Sequence, residues 1–253
     1  MFCTLCLEES KKRFCRNLKT EEKQIGNIAF IKATIHKKSA IKKFEKKIKN
    51  KADTVILSEN LKGYQFKNLK VYNNDFFIKN IAKYTFKNIV RLSKIPPNSL
   101  TVCIKDSKFE FSELVYSLAV STNVIKIITK NFAEYNIISE KIYDDYGMEL
   151  IISDSVENAD LGIDFDCENP KIWFNTPENY VEITKKCVKL SAGLKGYVPK
   201  GISECDFAGI LQNYQEFKRL KLLHADVMLK NDKFFKINYD NIKNFLDNKS
   251  ECW

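Results

Sequence analysis

The feature that most constrains this chain is the alternation of short apolar runs with helical stretches between Leu100 and Asn175. Leu100 to Lys105 and Val124 to Ile128 are continuous apolar runs of strand length. Between them, Phe111, Leu114, Val115 and Leu118 recur at helical spacing. Ile137, Ile138 and Ile142 mark a second helix that closes at Gly147, where a helix-terminating glycine is expected. Met148 to Ile152, Asp160 to Phe165 and Lys171 to Phe174 complete a set of five strands. Short strands alternating with longer helices predict a parallel sheet flanked by helices.

The front of the chain repeats the plan more faintly. Gly26-Asn27 opens an apolar run from Ile28 to Ile35, and Ser39 is a good N-cap for a helix with Ile41, Phe44 and Ile48 on one face. Thr54 to Leu57 follows as a strand, so a crossover helix joins two strands and implies parallel pairing. Leu69 to Tyr72 adds a short third strand. Asp75 then caps a long helix carrying Phe77, Ile78, Ile81, Ala82, Thr85, Ile89 and Leu92, which Pro96-Pro97 stops. Phe76, Phe77, Tyr84 and Phe86 fall on nearly all sides of that helix, which predicts burial between lobes or against another copy of the chain. Residues 1–26 read as polar and basic, without a sustained period. After Pro177 the pattern weakens, with helices expected near Glu204 to Phe217 and Tyr239 to Asp247.

These elements predict an α/β fold of two Rossmann-like lobes, with mostly parallel sheets flanked by helices. The expected division is a basic N-terminal lobe over residues 1–97, a βαβαβ domain over 98–176 and a segment over 177–253 that packs back on the lobes. Charge marks the same boundary: residues 1–97 hold 23 Lys and Arg against 8 Asp and Glu, whereas residues 98–253 hold 19 against 24. A basic front half suits nucleic acid or another anionic surface. Against that, only four of the 42 basic residues are Arg, the residue favoured for bidentate phosphate and base recognition. No apolar run approaches the ~20 residues of a membrane span, and the patch from Met1 to Leu7 is too short and too quickly acidic for a secretory signal. A cytoplasmic location is the expectation.

Cys3 and Cys6 form a C-x-x-C with Cys15 beyond it, but a structural zinc site wants four ligands, usually as two close pairs. The second pair is missing, so free thiols are expected, with a metal held only if a partner chain supplies ligands. Cys103 lies inside an expected strand and reads as a small core residue.

Residues 100–175 resemble the NADP-binding domain of the shikimate dehydrogenase and glutamyl-tRNA reductase superfamily. LTVCIKD stands at that family's first strand and glycine turn, and VIKIITKN at its second strand and the following polar turn. YDDYG precedes a third strand, MELIISD, and ENADLGIDFD matches an acidic segment leading into the fourth. The resemblance implies a pyrophosphate site at the first turn, at Ser107 and Lys108, and Lys130 facing a 2′-phosphate. This chain departs from the family there: the turn Lys105-Asp106-Ser107-Lys108-Phe109-Glu110 has no glycine. Glycines let backbone N–H groups approach pyrophosphate, and Cβ atoms crowd that approach. Ser107-x-x-Glu110 also reads as a capping box, occupying the N–H groups that would greet an anion.

Other candidates are sparse. His36 follows an expected strand, at the carboxyl edge where α/β sites gather, and is placed as a general base without a carboxylate nearby in sequence. His224 reads as a surface or interface residue. Asp160, Asp164, Asp166 and Glu168 offer carboxylates to a divalent cation only if they converge, and otherwise form a solvated strand end. Ser58-Glu59-Asn60 is a polar group suited to a cleft between lobes. The favoured reading is a non-catalytic, degenerate Rossmann-like binding or regulatory module, with no cofactor, no metal and no catalytic residue, and with a protein or small-molecule partner. The alternatives are an NADP-linked oxidoreductase with an atypical phosphate turn and a nucleic-acid-associated protein acting through residues 1–97.

Overall fold

The computed structural model describes residues 1–8, 17–92, 96–154, 159–190, 192–214 and 227–229. The protein is α/β, with two mostly parallel sheets flanked by helices. It divides into two compact units, Met1–Asn74 with Lys185–Lys230, and a second that includes Asp75–Thr184. The long helix after Asn74 therefore belongs to the second unit, and the stretch from Lys185 to the first.

In the first unit the strands are β1 (Phe2–Leu7), β2 (Leu18–Ile25), β3 (Ile28–Ile35), β4 (Thr54–Leu57) and β5 (Lys70–Val71), in the order β2-β3-β1-β4-β5. The apolar patch from Met1 to Leu7 is thus the central strand, where only a polar segment without regular structure is expected. Its burial on both faces gives a continuous apolar run in place of the alternation that flags a half-exposed strand. The hairpin of β2 and β3 turns at Gly26, whose φ of +55° suits glycine. Helix α1 (Ile41–Ile48) crosses from β3 to β4, and both pair parallel to β1, which lies between them. Ile41, Phe44 and Ile48 bury one face of α1 against Cys3, Leu5, Ile31, Ala33, Val55 and Leu57. On the opposite face of the sheet Phe2 stacks on Phe30 with ring centroids 5.2 Å apart, and Phe207 packs edge-on to both. Phe207 comes from the helix over Glu204–Asn213.

The rest of this unit comes from the far part of the chain. It comprises β12 (Val188–Leu190), α5 (Ala192–Lys195), α6 (Glu204–Asn213) and β13 (Val227–Leu229), the last antiparallel to β12. Ser203 caps α6 by accepting the Asp206 N–H at 2.9 Å. The helix expected over Tyr239 to Asp247 lies outside the described residues.

In the second unit α2 (Asp75–Leu92) leads to β6 (Thr101–Lys105), α3 (Ser112–Leu118), β7 (Val124–Ile128) and α4 (Phe132–Tyr146). There follow β8 (Leu150–Ile152), β9 (Leu161–Asp164), β10 (Lys171–Phe174) and β11 (Thr176–Glu182). The sheet order is β11-β10-β9-β6-β7-β8. Gly147, at φ +66°, ends α4 as expected. The sheet is mostly parallel, as expected, and its antiparallel part lies at one edge: β10 runs antiparallel to β9, and β11 antiparallel to β10. A parallel return needs a crossover of a dozen or more residues, and the link from Asp164 to Lys171 is too short for one. Helix α2 is also one-sided: Phe77, Ile78, Ile81, Ala82, Phe86 and Ile89 are buried, while Phe76 and Tyr84 are exposed. Beneath the strands Cys103, Ala159 and Trp173 form a small cluster, confirming Cys103 as a core residue. Trp173 lies over Gly162, where an added Cβ would sit 2.0 Å from its ring.

Candidate functional site

Strands β6, β7 and β9 run parallel, with β7 on one side of β6 and β9 on the other. Chain direction therefore diverges at the carboxyl ends of β6 and β9, the switch point where open α/β sheets hold ligands. The turn that leaves β6 at this point is the glycine-free one. Its residues form a ring of donors around one carboxylate.

Asp106 is 1% exposed. Its carboxylate accepts the backbone N–H groups of Lys108 at 3.2 Å, Glu110 at 3.2 Å and Phe111 at 2.7 Å. The fourth donor is the Tyr135 hydroxyl of α4, at 2.8 Å. An ionised carboxylate has about four acceptor positions, and all are taken. Burial first, and then the Asp106 charge, push the Tyr135 phenol above its ordinary value, so it stays protonated and donates. The chain turns through Phe109 at φ +58°, in the left-handed region that glycine favours. The Phe109 ring packs edge-on against Tyr135 with centroids 4.9 Å apart, which offsets part of that strain.

A second carboxylate takes the remaining donor of the turn. Asp166, beyond the end of β9, accepts the Ser107 N–H at 2.9 Å and its hydroxyl at 2.7 Å. Lys105 pairs with Asp164 at 3.1 Å, and Asp164 also accepts the Asp166 N–H at 2.8 Å. Partial burial works against the Lys105 charge, but the Asp164 carboxylate outweighs it and holds the ammonium above its ordinary range. From the β7 side, Thr129 donates its hydroxyl to the Asp106 carbonyl at 2.8 Å, and Asn131 donates its side-chain amide to the Ser107 carbonyl at 2.8 Å.

The structure thus brings two of the expected cofactor residues, Ser107 and Lys108, onto a turn tied to the one that carries Lys130. Lys108 and Lys130 are exposed; the Ser107 N–H and hydroxyl are committed to Asp166. The capping box is corrected. Helix α3 starts at Ser112 with no side-chain cap, and Glu110 pairs instead with Lys79 of α2 at 2.7 Å. Asp106 does the work expected of Ser107 and Glu110. Its signal was present in the sequence, since an Asp that receives the N–H two residues on is an Asx-turn, the local alternative to a cap. Asp166 and Tyr135 are distant in sequence and had no such signal.

The acidic group does not converge. Asp160 accepts the Thr101 N–H at 2.9 Å at the start of β6, while Asp164 and Asp166 engage the other end of that strand. Among the described residues no three His, Cys, Asp or Glu side chains gather as a metal site.

The corresponding edge of the first unit is built from uncharged contacts. His36, just past β3, donates Nδ1–H to the Glu8 carbonyl at 2.7 Å, which leaves Nε2 with the lone pair of the neutral ring. Its orienting partner is a backbone carbonyl and not a carboxylate. Ser58 is buried and accepts the Leu7 N–H at 3.3 Å, which closes the end of β1. Cys3 and Cys6 are free thiols in one strand, three residues apart, so their side chains point to opposite faces and cannot share an ion. Burial pushes Cys3 up to about 12 and Cys6 to about 11, which keeps both protonated at neutral pH. Cys15, Cys252 and His224 lie outside the described residues.

The nest of donors at the switch point is therefore taken up by the chain's own carboxylates, Asp106 and Asp166. No helix among the described residues is long and apolar enough to cross a membrane. No protein-family model, curated protein or solved structure matches this chain.

Proposed function

We propose that the second unit is a degenerate relative of the dinucleotide-binding domains it resembles, kept as a non-catalytic binding or regulatory module. The observation that supports this reading is the Asp106 carboxylate, buried and fully satisfied by the N–H groups of Lys108, Glu110 and Phe111 and by Tyr135. In a dinucleotide enzyme those N–H groups face pyrophosphate, and a fixed negative charge in their midst repels it. Displacing Asp106 would strand four donors or bury an unpaired charge, either of which costs several kcal/mol. A ligand or protein partner then meets the unit elsewhere than at its phosphate turn.

A thermal-shift measurement tests this. A ligand at ~100 times its dissociation constant adds about 2.7 kcal/mol of stability, well within detection. Millimolar NADP, NAD or phosphate is expected to leave the melting temperature of the wild-type protein unchanged. Asp106→Gly empties the nest, and its lowered melting temperature is expected to recover with formate or phosphate. A shift of the wild-type protein with NADP, lost in Lys130→Gln, would overturn the reading in favour of an NADP-linked oxidoreductase.

A further inference from the structure

Lysines are matched with acids across much of this molecule. Lys79 pairs with Glu110, Lys105 with Asp164, Lys185 with Asp206, and Lys195 with Glu204. Helix α1 and the turns beside it break that pattern. Residues 37–51 hold eight lysines and one acid, Glu45. One oxygen of that acid accepts the backbone N–H groups of Lys67 at 2.7 Å and Asn68 at 2.8 Å, away from the lysines of the helix. Lys47 reaches Thr20 and Lys51 reaches Glu22. Lys37, Lys38, Lys42, Lys43, Lys46 and Lys49 are exposed, and their ammonium groups have no ion pair or hydrogen bond among the described residues.

Helical geometry spreads these charges over one face. Ile41, Phe44 and Ile48 turn inward, so at about 100° per residue Lys42, Lys43, Lys46 and Lys47 fan over the outward arc. Like charges at this spacing repel and weaken the helix unless a counter-charge is supplied. Burial of the apolar stripe holds α1 in place despite that cost. The result is a rigid, uncompensated cationic ridge.

We infer that the outward face of α1 is a docking surface for the phosphate backbone of double-stranded nucleic acid, with Lys42, Lys43, Lys46 and Lys49 as its contacts. Lysine is a point charge suited to phosphate, and the absence of arginine from this face fits contacts that position the protein without reading bases. A single strand is held by stacking bases on aromatic side chains, and the one aromatic residue of α1, Phe44, is in the core. A membrane-surface helix offers apolar side chains to the lipid between its lysines, and those of α1 are buried in this unit. This surface lies in the first unit and stands or falls independently of the phosphate turn.

Fluorescence anisotropy of the full chain with labelled 20-base-pair DNA and RNA duplexes, in parallel with phosphatidylserine-containing vesicles, tests the inference. Four phosphate contacts give a log–log salt slope of about −3.6, or roughly 150-fold weaker binding between 50 and 200 mM salt. The variant K42Q/K43Q/K46Q/K49Q is expected to flatten that slope to near zero while keeping its circular dichroism and melting temperature. A variant with equal charge loss elsewhere in the same unit, K62Q/K186Q/K195Q/K200Q, is expected to keep it. Equal weakening of both variants would reduce the binding to net charge and overturn the assignment to α1. Failure of the wild-type protein to bind either duplex, or binding to the vesicles in their place, would overturn the nucleic-acid partner.

Discussion

The carboxyl ends of the two sheets solve the same problem with different chemistry. In both, parallel strands deliver loops to one edge, where unpaired backbone N–H groups must find acceptors. At the β6 edge the acceptors are two carboxylates, Asp106 and Asp166, helped by Tyr135, Thr129 and Asn131. At the β1 edge they are a serine hydroxyl and backbone carbonyls, with His36 donating to Glu8 and Ser58 accepting from Leu7. A buried carboxylate with a full set of donors makes strong, charge-assisted bonds and tolerates the loss of none of them. Neutral contacts are individually weaker and more forgiving. The first edge is therefore held by charge-assisted bonds, and the second by neutral groups that a mutation displaces at a smaller cost.

The largest expected effect attacks the edge held by carboxylates. Asp106→Ala leaves three N–H groups and the Tyr135 hydroxyl without their acceptor and should cost about 3–5 kcal/mol. Urea unfolding measures it, and a loss below ~1 kcal/mol would mean that the turn is held by other contacts. Next comes Gly162→Ala in β9, the strand that carries Asp164 and leads to Asp166. A Cβ there meets Trp173 at 2.0 Å, so the strand or the indole must move, at roughly 1–3 kcal/mol or more. If the edge depends on β9, amide exchange at Ser107 should quicken with it; unchanged protection would uncouple the two. The matching change at the neutral edge, Ser58→Ala, should cost only about 1 kcal/mol. A cost equal to that of Asp106→Ala would erase the distinction.

The smallest effect at neutral pH is also the most selective between the units. Burial raises Cys3, Cys103 and Cys205 to about 12 and Cys6 to about 11, from 9.0 in each case. A thiol raised in the folded state contributes its stability below pH 9 and loses it as pH climbs toward the folded value. Stability should thus be level from pH 7 to 8.5 and fall above pH 9. Three of these four thiols are in the first unit, so hydrogen exchange at pH 10 should show that unit opening first. Simultaneous opening, or opening of the second unit first, would break the expectation.

Much of the second unit was legible because its strands and helices carry period and punctuation together. Val124 to Ile128 and Lys171 to Phe174 fall on the expected residues, and Gly147 ends α4 where a glycine is needed. The strand order was not legible, since pairing partners are set by packing and leave no local mark. The length of the link from Asp164 to Lys171 did carry a warning against parallel pairing. At the site, the missing glycines pointed to a closed turn, but the residues closing it were misassigned. Ser107 and Glu110 match a capping pattern locally, and a buried Asp with Tyr135 and Asp166 brought in from elsewhere outcompetes it. Propensity proposes a cap, and tertiary donors decide which side chain fills it.

The positive φ of Phe109 has a bearing on how this turn can change over time. Opening the nest to an outside anion without a net loss of stability takes at least two substitutions, one removing the Asp106 carboxylate and one placing a glycine at Phe109. The first alone strands donors, and the second alone gives up the packing on Tyr135. Each single step descends in stability before the pair can recover it. A path from this turn to an open anion site is thus blocked by a valley in stability.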